Sequence, residues 1–575
     1  MSTLALPADF KSPVSAEDLK NRAAKYDIKI KPGAEEDAYL LLLQSAEALH
    51  RTLDQSPDYI HPDLAATPTT EPRKFFKVPE AENPLNGWSH GCDVTAAKPT
   101  SLLLAGRTFV VKDNVSVAGL PTTLGLPAWF QSRSGEYVPS SIDATIVRRL
   151  LEAGAVLKGT SVCESYSAAP MSITSASGCV HNPWAKAHTC GGSSSGSGAL
   201  IGQKAVAEAG IPIAGGSRTV DLAVGGDQGG SIRLPAAYNG IYGLKPTHGL
   251  IPYTGVLSIV PMIDHVGPMA SKLEDIAAML QVMAGYDGID ARMTPESPIL
   301  SQVKDYPAIL DEFAKDAKGK RGTMKVGLLK EAFDFPMLSD EVRDTVRRNA
   351  MEYFTAAGAK VVEVSVPLHR EGPAVWTVAA RTAISDYGLA VKPPGYLTYQ
   401  PEHVDLQWPP TQEMFDALTA INPTIMNLVF STDYVRETFG TNIEFKAHRK
   451  VFDLRAAYDA VFKDVDVLIT PTVPTVAFPF PESTKGGTES GEIMERVKAA
   501  VGLSYNTCAF NVTGHPAMSV PCGFGEAATE GVGKLPIGMQ VIGRRWEDDT
   551  VLKAAALFEM GKTERSVALA NLSVS

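Results

Sequence analysis

The residues that could do chemistry gather in three short segments. In DLAVGGDQGGSIR, residues 221–233, Ser231 follows a glycine pair. Glycines there clear the approach path and free backbone N–H groups to point at a bound atom, which is how an exposed nucleophile with an oxyanion hole is built. In TFVVKDNVSVAGLPTT, Lys112 stands directly after an apolar strand pattern and before a turn-rich loop. A lysine at the end of a buried strand is pushed towards its neutral form, because desolvation disfavours the ammonium, and a neutral lysine is a base. The same segment is equally compatible with a lysine that snorkels to the surface. The third segment, CGGSSSGSGAL at 190–200, is a Gly/Ser-rich run that leads into a stretch of helical composition. It lacks the G-x-x-x-x-G-K-S/T arrangement of a phosphate loop. Nor is Ser231 in a G-x-S-x-G elbow, since isoleucine and arginine follow it.

Other chemistries find less support. The six cysteines (Cys92, Cys163, Cys179, Cys190, Cys508 and Cys522) include no C-x-x-C pair, so neither structural disulfides nor a zinc site is expected. Cys190 has His188 two positions upstream. Closeness in sequence says little about space, and the thiol reads as buried.

These segments need elements to position them. Strand patterns alternate with helices from SLLLAGRTFVVKDNVSV onward, through TIVRRLLEAG and AVLKGT. That βαβ rhythm predicts an α/β body whose sheet is covered on both faces. Later strand candidates are GTMKVGLLK, AKVVEVSVP, VDVLITPTVPTV and LPIGMQVIG. Residues 14–56 carry helical spacing, and a Pro-rich stretch follows to about 100. Residues 1–100 are therefore expected to be a helical arm and wrapping segment, and 101–575 one catalytic α/β domain.

GGSSSGSG followed by GGDQGGSIRLPAAYNGIYGLKPTHGLIP resembles the amidase signature family. The resemblance is strong over roughly residues 100–300 and extends to the later PTVP, TGHPAMSVP and LPIGMQVIG. It is closest to bacterial amidases that act after nitrile hydratase. The resemblance implies one large domain with a central mixed β-sheet and a Ser-Ser-Lys triad: Ser231 as nucleophile, Lys112 as base, and Ser193 as the bridging serine with a cis peptide. It also implies an oxyanion hole from the N–H groups of Gln228, Gly229, Gly230 and Ser231. A pocket-wall tryptophan of the relatives is matched by Trp376, for which core packing is an equal reading. No metal or organic cofactor is implied.

Physical logic agrees with that assignment. A serine hydroxyl is a poor nucleophile until a base takes its proton, and a neutral lysine acting through a relaying hydroxyl can do so without histidine. Asp227 and Arg233 flank the nucleophile and are expected to pair across the loop as structural support. The Gln228 side chain could face a substrate amide. One departure is the stretch around 204–219, which leaves 38 positions between Ser193 and Ser231, about fourteen more than a short helix-to-strand link needs. It is a tolerated surface excursion, a disturbance of the site or an error in the gene model.

The implied activity is hydrolysis of small uncharged aliphatic or aromatic amides, with carbamates or esters as further substrates. An amidotransferase subunit that passes ammonia to a charged transfer RNA, which the family also contains, and an inactive paralogue are the alternatives. The 53 basic against 64 acidic residues give a net charge of −11, which disfavours nucleic acid or anionic membrane as partner. The opening MSTLALPADFKSP has no basic and apolar signal pattern, and no run of about eighteen apolar residues occurs, so a cytoplasmic location is expected. The helical arm could pair with a second copy of the chain or cap its own core.

Overall fold

The computed structural model describes residues 11–132, 134–213, 217–316, 323–395, 397–485 and 490–574. The chain separates into two compact units, residues 1–62 and 63–575. The first holds two helices, α1 (Ala16–Ala24) and α2 (Ala34–Asp54). Ser15 starts α1 with a reciprocal cap: its Oγ accepts the Asp18 N–H at 3.2 Å while the Asp18 carboxylate accepts the Ser15 N–H at 3.0 Å.

Among the described residues the second unit is built on twelve strands. These are β1 (Phe75–Phe76), β2 (Trp88–Val94), β3 (Thr108–Lys112), β4 (Val156–Ser161), β5 (Leu222–Asp227), β6 (Tyr242–Lys245), β7 (His265–Ala270), β8 (Lys325–Leu329), β9 (Lys360–Val364), β10 (Val467–Pro471), β11 (Ala517–Glu526) and β12 (Lys534–Gly543). They form one mixed sheet in the order β1-β2-β4-β3-β5-β7-β6-β11-β12-β10-β8-β9. The strands β1 and β2 come from the segment read as wrapping chain; a two-residue strand and Pro-rich surroundings hide them in the sequence.

Near its middle, β3 runs parallel to both β4 and β5, while β5 pairs antiparallel with β7. Phe109 and Val111 of β3 point into one apolar cluster with Leu222 and Val224 of β5, and Val110 points into another with Ala223. Both faces of the sheet are thus buried, which is why β3 reads as an unbroken apolar run instead of an alternating one. Helix α3 (Thr145–Glu152) links β3 to β4, α4 (Ser195–Glu208) leads towards β5, and α5 (Arg233–Asn239) follows it. The carboxyl ends of β3 and β5 therefore lie side by side, with the starts of α4 and α5 above them, the usual place for a ligand in such sheets.

The stretch at 204–219 leaves this region. Residues 204–208 continue α4, with Val206 buried, and Lys204 pairs with Asp221 at 2.5 Å just before β5. Residues 214–216 lie outside the described residues. No helix among the described residues is long and apolar enough to cross a membrane.

Candidate active site

Lys112 ends β3 and is fully buried, and its Nζ donates to Ser193 Oγ at 2.8 Å. Burial lowers the Lys112 ammonium to about 8, against the partly opposing pull of Cys163, Asp227, Glu164 and Asp264. Of the two readings of this lysine, the buried one holds. A lysine so placed is neutral in a useful fraction of molecules near neutral pH.

Ser193 sits in the turn before α4, and the Gly192–Ser193 peptide bond is cis. A Cβ on Gly192 would lie 2.5 Å from the Ala169 carbonyl oxygen and 2.7 Å from that of Met171, so backbone closes around this turn and only glycine fits. The Ser193 hydroxyl donates to the Ser167 carbonyl at 2.6 Å. Ser194 ties the turn to the next strand: its Oγ donates to the Gly226 carbonyl at 3.1 Å and accepts the Gly226 N–H at 3.2 Å. The Ser194 N–H in turn donates to the Ser231 carbonyl at 3.3 Å. These bonds bring Lys112, Ser193 and the Ser231 loop together.

The loop from Asp227 to Ser231 is held from below by a buried ion pair. Arg233 Nε and Nη2 reach the Asp227 carboxylate at 3.0 and 2.8 Å, and neither side chain has exposed surface. The remaining Arg233 hydrogens go to the Thr507 carbonyl, Gln540 Oε1 and Asn511 Oδ1 at 2.7–2.9 Å. Burial alone would raise the Asp227 carboxyl, but the charge and hydrogen bonds of Arg233 hold it far below the usual range. The pair expected of these two flanking residues thus forms across the loop.

Asp227 also accepts the Gly230 N–H at 2.7 Å and the Ile232 N–H at 3.1 Å. The Gly230 amide is therefore occupied, which corrects its expected place among the oxyanion donors. Its role is steric: Gly230 has φ of 136°, and a Cβ there would lie 2.3 Å from Leu234 Cδ1 and 2.5 Å from Thr507 Oγ1. The N–H groups of Gln228, Gly229 and Ser231 form no hydrogen bond among the described residues.

Ser231 and Gly229 face a cavity of about 260 Å³ whose walls include Ala169, Ile259, Trp376, Ile384 and Leu428. Trp376, on the helix Gly372–Ala383, donates from Nε1 to the Gln228 carbonyl at 2.8 Å, and its ring lies where a Gly229 Cβ would meet it at 3.2 Å. It thus lines the cavity and braces the loop. The Gln228 side chain turns the other way for its nitrogen, which donates to Tyr253 Oη at 2.8 Å and Asp264 Oδ1 at 3.2 Å; its buried Oε1 has no partner among the described residues. Asp264 is paired with Arg292 at 3.1 Å, whose guanidinium lies 4.5 Å from the Tyr253 ring centre. A larger cavity of about 570 Å³ lies elsewhere, around Trp88, His90, Asp113 and Tyr137, and neither Ser193 nor Ser231 lines it.

Sequence reasoning overlooked several of these groups. Tyr253 and Asp264 sit in PYTG and DHVGP, short stretches from which no role was drawn. Thr507, Asn511 and Gln540 reach Arg233 from 274, 278 and 307 residues away, with no local signal. Cys190 is a buried thiol whose Sγ meets the Val180 and Ser195 carbonyls at 3.4 and 3.5 Å, while His188 bonds to the Lys186 carbonyl and Thr529. The two do not form a catalytic pair. Among the described residues no cluster of metal-ligating side chains occurs.

The sequence pattern of the family described as Amidase matches residues 90–552. An enantioselective amidase of Rhodococcus rhodochrous is 36% identical over 502 residues, covering 86% of this chain and 86% of that protein. A glutamyl-tRNA(Gln) amidotransferase subunit of Synechococcus sp. (strain CC9605) is 34% identical over 465 residues, covering 79% of this chain and 82% of that one. Among solved structures, the glutamyl-tRNA(Gln) amidotransferase subunit of Thermotoga maritima aligns with a TM-score of 0.57 at 26% identity, over 78% of this chain and 82% of that chain.

Proposed function

The chain belongs to the amidase signature family, and from that premise we propose that it cleaves small amides through an acyl-enzyme on Ser231, with Ser193 as proton relay and Lys112 as base. The reading rests on the 2.8 Å contact between Lys112 Nζ and Ser193 Oγ in full burial, beside a serine loop with unengaged N–H groups.

With Lys112 protonated, its Nζ donates to Ser193 Oγ and the Ser193 hydroxyl donates to the Ser167 carbonyl. Loss of the lysine proton turns Nζ into an acceptor, and the Ser193 hydroxyl swings to it. Ser193 Oγ then accepts the Ser231 proton while Ser231 Oγ attacks the amide carbon. Negative charge on the carbonyl oxygen falls to the N–H groups of Gln228, Gly229 and Ser231, each worth on the order of 3 kcal/mol in comparable hydrolases. Collapse of the tetrahedral intermediate expels the nitrogen, which takes its proton back through Ser193. Water attacks the acyl-enzyme by the same relay and releases the carboxylic acid.

The apolar walls from Ile259, Trp376, Ile384 and Leu428 suit aliphatic and aromatic acyl groups. Amides formed by nitrile hydration are candidates by the resemblance, and carbamates present the same carbonyl to the same serine. Ammonia release from aliphatic amides, aromatic amides and ethyl carbamate is the test, with Ser231→Ala in parallel. Release that the variant loses by at least about 1,000-fold supports the reading; release that persists in it overturns the nucleophile assignment.

The relatedness to amidotransferase subunits favours a second reading, a subunit that delivers ammonia to a charged transfer RNA. Its net charge of −11 speaks against a nucleic-acid surface. Binding of transfer RNA at moderate salt discriminates the two. In the N-terminal unit, exposed Tyr39, Leu42, Leu49 and Leu53 offer apolar surface to a second copy of the chain, which sedimentation of the full chain against Leu49→Lys tests.

A further inference from the structure

Among the described residues, the only charged one in the wall of the Ser231 cavity is Arg381, in the last turn of the helix Gly372–Ala383 that also carries Trp376. Its Nε donates to Ser431 Oγ at 2.7 Å, which fixes the plane of the guanidinium. The two terminal nitrogens have no hydrogen-bond or ion-pair partner among the described residues, and the side chain is half-buried.

No neighbouring acid among the described residues answers this charge. Asp386, five residues along the chain, is already held by Arg436 at 2.5 Å and Lys392 at 2.8 Å. The acids around the nucleophile loop are likewise committed, Asp227 to Arg233 and Asp264 to Arg292. Burial lowers Arg381 from its ordinary value, and no carboxylate raises it. A half-buried guanidinium with two uncommitted nitrogens and no counter-ion is free to pair with an anion that enters the cavity. Asn427, four residues before Ser431 on the facing helix Pro423–Phe439, adds an amide to the same wall.

We infer that Arg381, assisted by Asn427, is a carboxylate-binding subsite, and that the amides this enzyme prefers carry an anionic group at the far end of the acyl chain. The inference rests on the amide-hydrolase reading above and names its substrate class: half-amides of dicarboxylic acids. A planar guanidinium with two free nitrogens matches a carboxylate in a way that a lysine would not. Trp376 marks the nucleophile end of the helix through its bond to Gln228. Arg381 lies five residues on, roughly 7.5 Å of helix rise at 1.5 Å per residue, and lines the same cavity as Ser231. Since ammonia leaves from a primary amide, only the acyl part can carry that charge. This replaces the expectation of an uncharged acyl group: apolar walls hold the chain and a cation holds its anionic end.

The test compares glutaramate and adipamate with the neutral amides in which an isopropyl group replaces the carboxylate. It uses the full chain and its Arg381→Met, Arg381→Lys and Ser231→Ala forms. Wild type should show the higher kcat/KM on the half-amides. In Arg381→Met the half-amide to neutral-amide ratio should fall about 10- to 100-fold, the usual worth of a charge-assisted hydrogen bond, and Arg381→Lys should recover part of it. A ratio below one in wild type, or one that Arg381→Met leaves unchanged, overturns the subsite. If no amide of either kind is cleaved in a Ser231-dependent way, the hydrolase reading fails instead. In that event glutarate decides the subsite alone: it should raise the thermal midpoint of wild type and not of Arg381→Met, and no shift in wild type refutes it.

Discussion

Glu164→Gln should move the pH profile of amide hydrolysis towards acid. Glu164 is fully buried; its Oε1 accepts the Ser195 hydroxyl at 2.6 Å and its Oε2 accepts the Thr174 N–H and hydroxyl at 2.6 and 2.7 Å. Its own N–H donates to the Ser193 carbonyl at 3.2 Å, so it sits beside the relay. Burial lifts its carboxyl to about 7 despite these bonds, and its negative charge is one of those that raise Lys112. With Lys112 at about 8, the neutral fraction is about 9% at pH 7 and about 90% at pH 9, so kcat/KM should climb about tenfold between them. Glutamine keeps the shape and removes the charge, which lowers the Lys112 value further and shifts the inflection to lower pH. Initial rates at subsaturating amide from about pH 5.5 to about pH 9.5, in buffers of constant ionic strength, read this directly. A wild-type profile that is flat across that range refutes a titrating lysine base. An inflection that stays put or rises in Glu164→Gln refutes the electrostatic link.

Three further outcomes follow from the same geometry. Lys112→Met should abolish hydrolysis yet stabilise the chain at pH 7: the lysine falls from 10.5 to about 8 on folding, so its ionised form opposes folding by about 3 kcal/mol. That cost is full below pH 8 and fades as pH rises to about 10.5, so the gain in thermal midpoint over wild type should shrink over the same window. Arg233→Met leaves Asp227 buried without its partner and should cost about 3–5 kcal/mol in urea unfolding; a loss under about 1 kcal/mol would mean that water reaches the carboxylate. Gly230→Ala, at a φ that favours glycine and against Leu234 and Thr507, should displace the nucleophile and cut kcat by at least about 100-fold, with the far-ultraviolet circular dichroism unchanged.

How much is legible in the sequence differs from residue to residue. Lys112 at the end of an apolar run, the glycine pair before Ser231 and the Gly/Ser run at 190–200 stand out locally, yet the segment around Lys112 fits a surface lysine as well as a buried one, and Ser193 gains its expected role only through the family resemblance. Trp376 is ambiguous between wall and core in the sequence, and the structure makes it a wall that also braces the loop. Gly230 is named an oxyanion donor by the family resemblance, and the sequence does not show whether its amide is already taken; Asp227, three residues back, takes it.

The sequence by itself determined the α/β class and the order of strands and helices around the site, since each follows from a period or a turn, while the candidate triad came from the family resemblance that its short motifs carry. Only the tertiary structure decided that Lys112 is buried against Ser193 across 81 positions, that Thr507, Asn511 and Gln540 anchor Arg233, and that Arg381 enters the cavity without an acid among the described residues to meet it. Burial, the identity of a charge's partner and the absence of one are properties of space, set by segments hundreds of residues apart, and no local pattern encodes them.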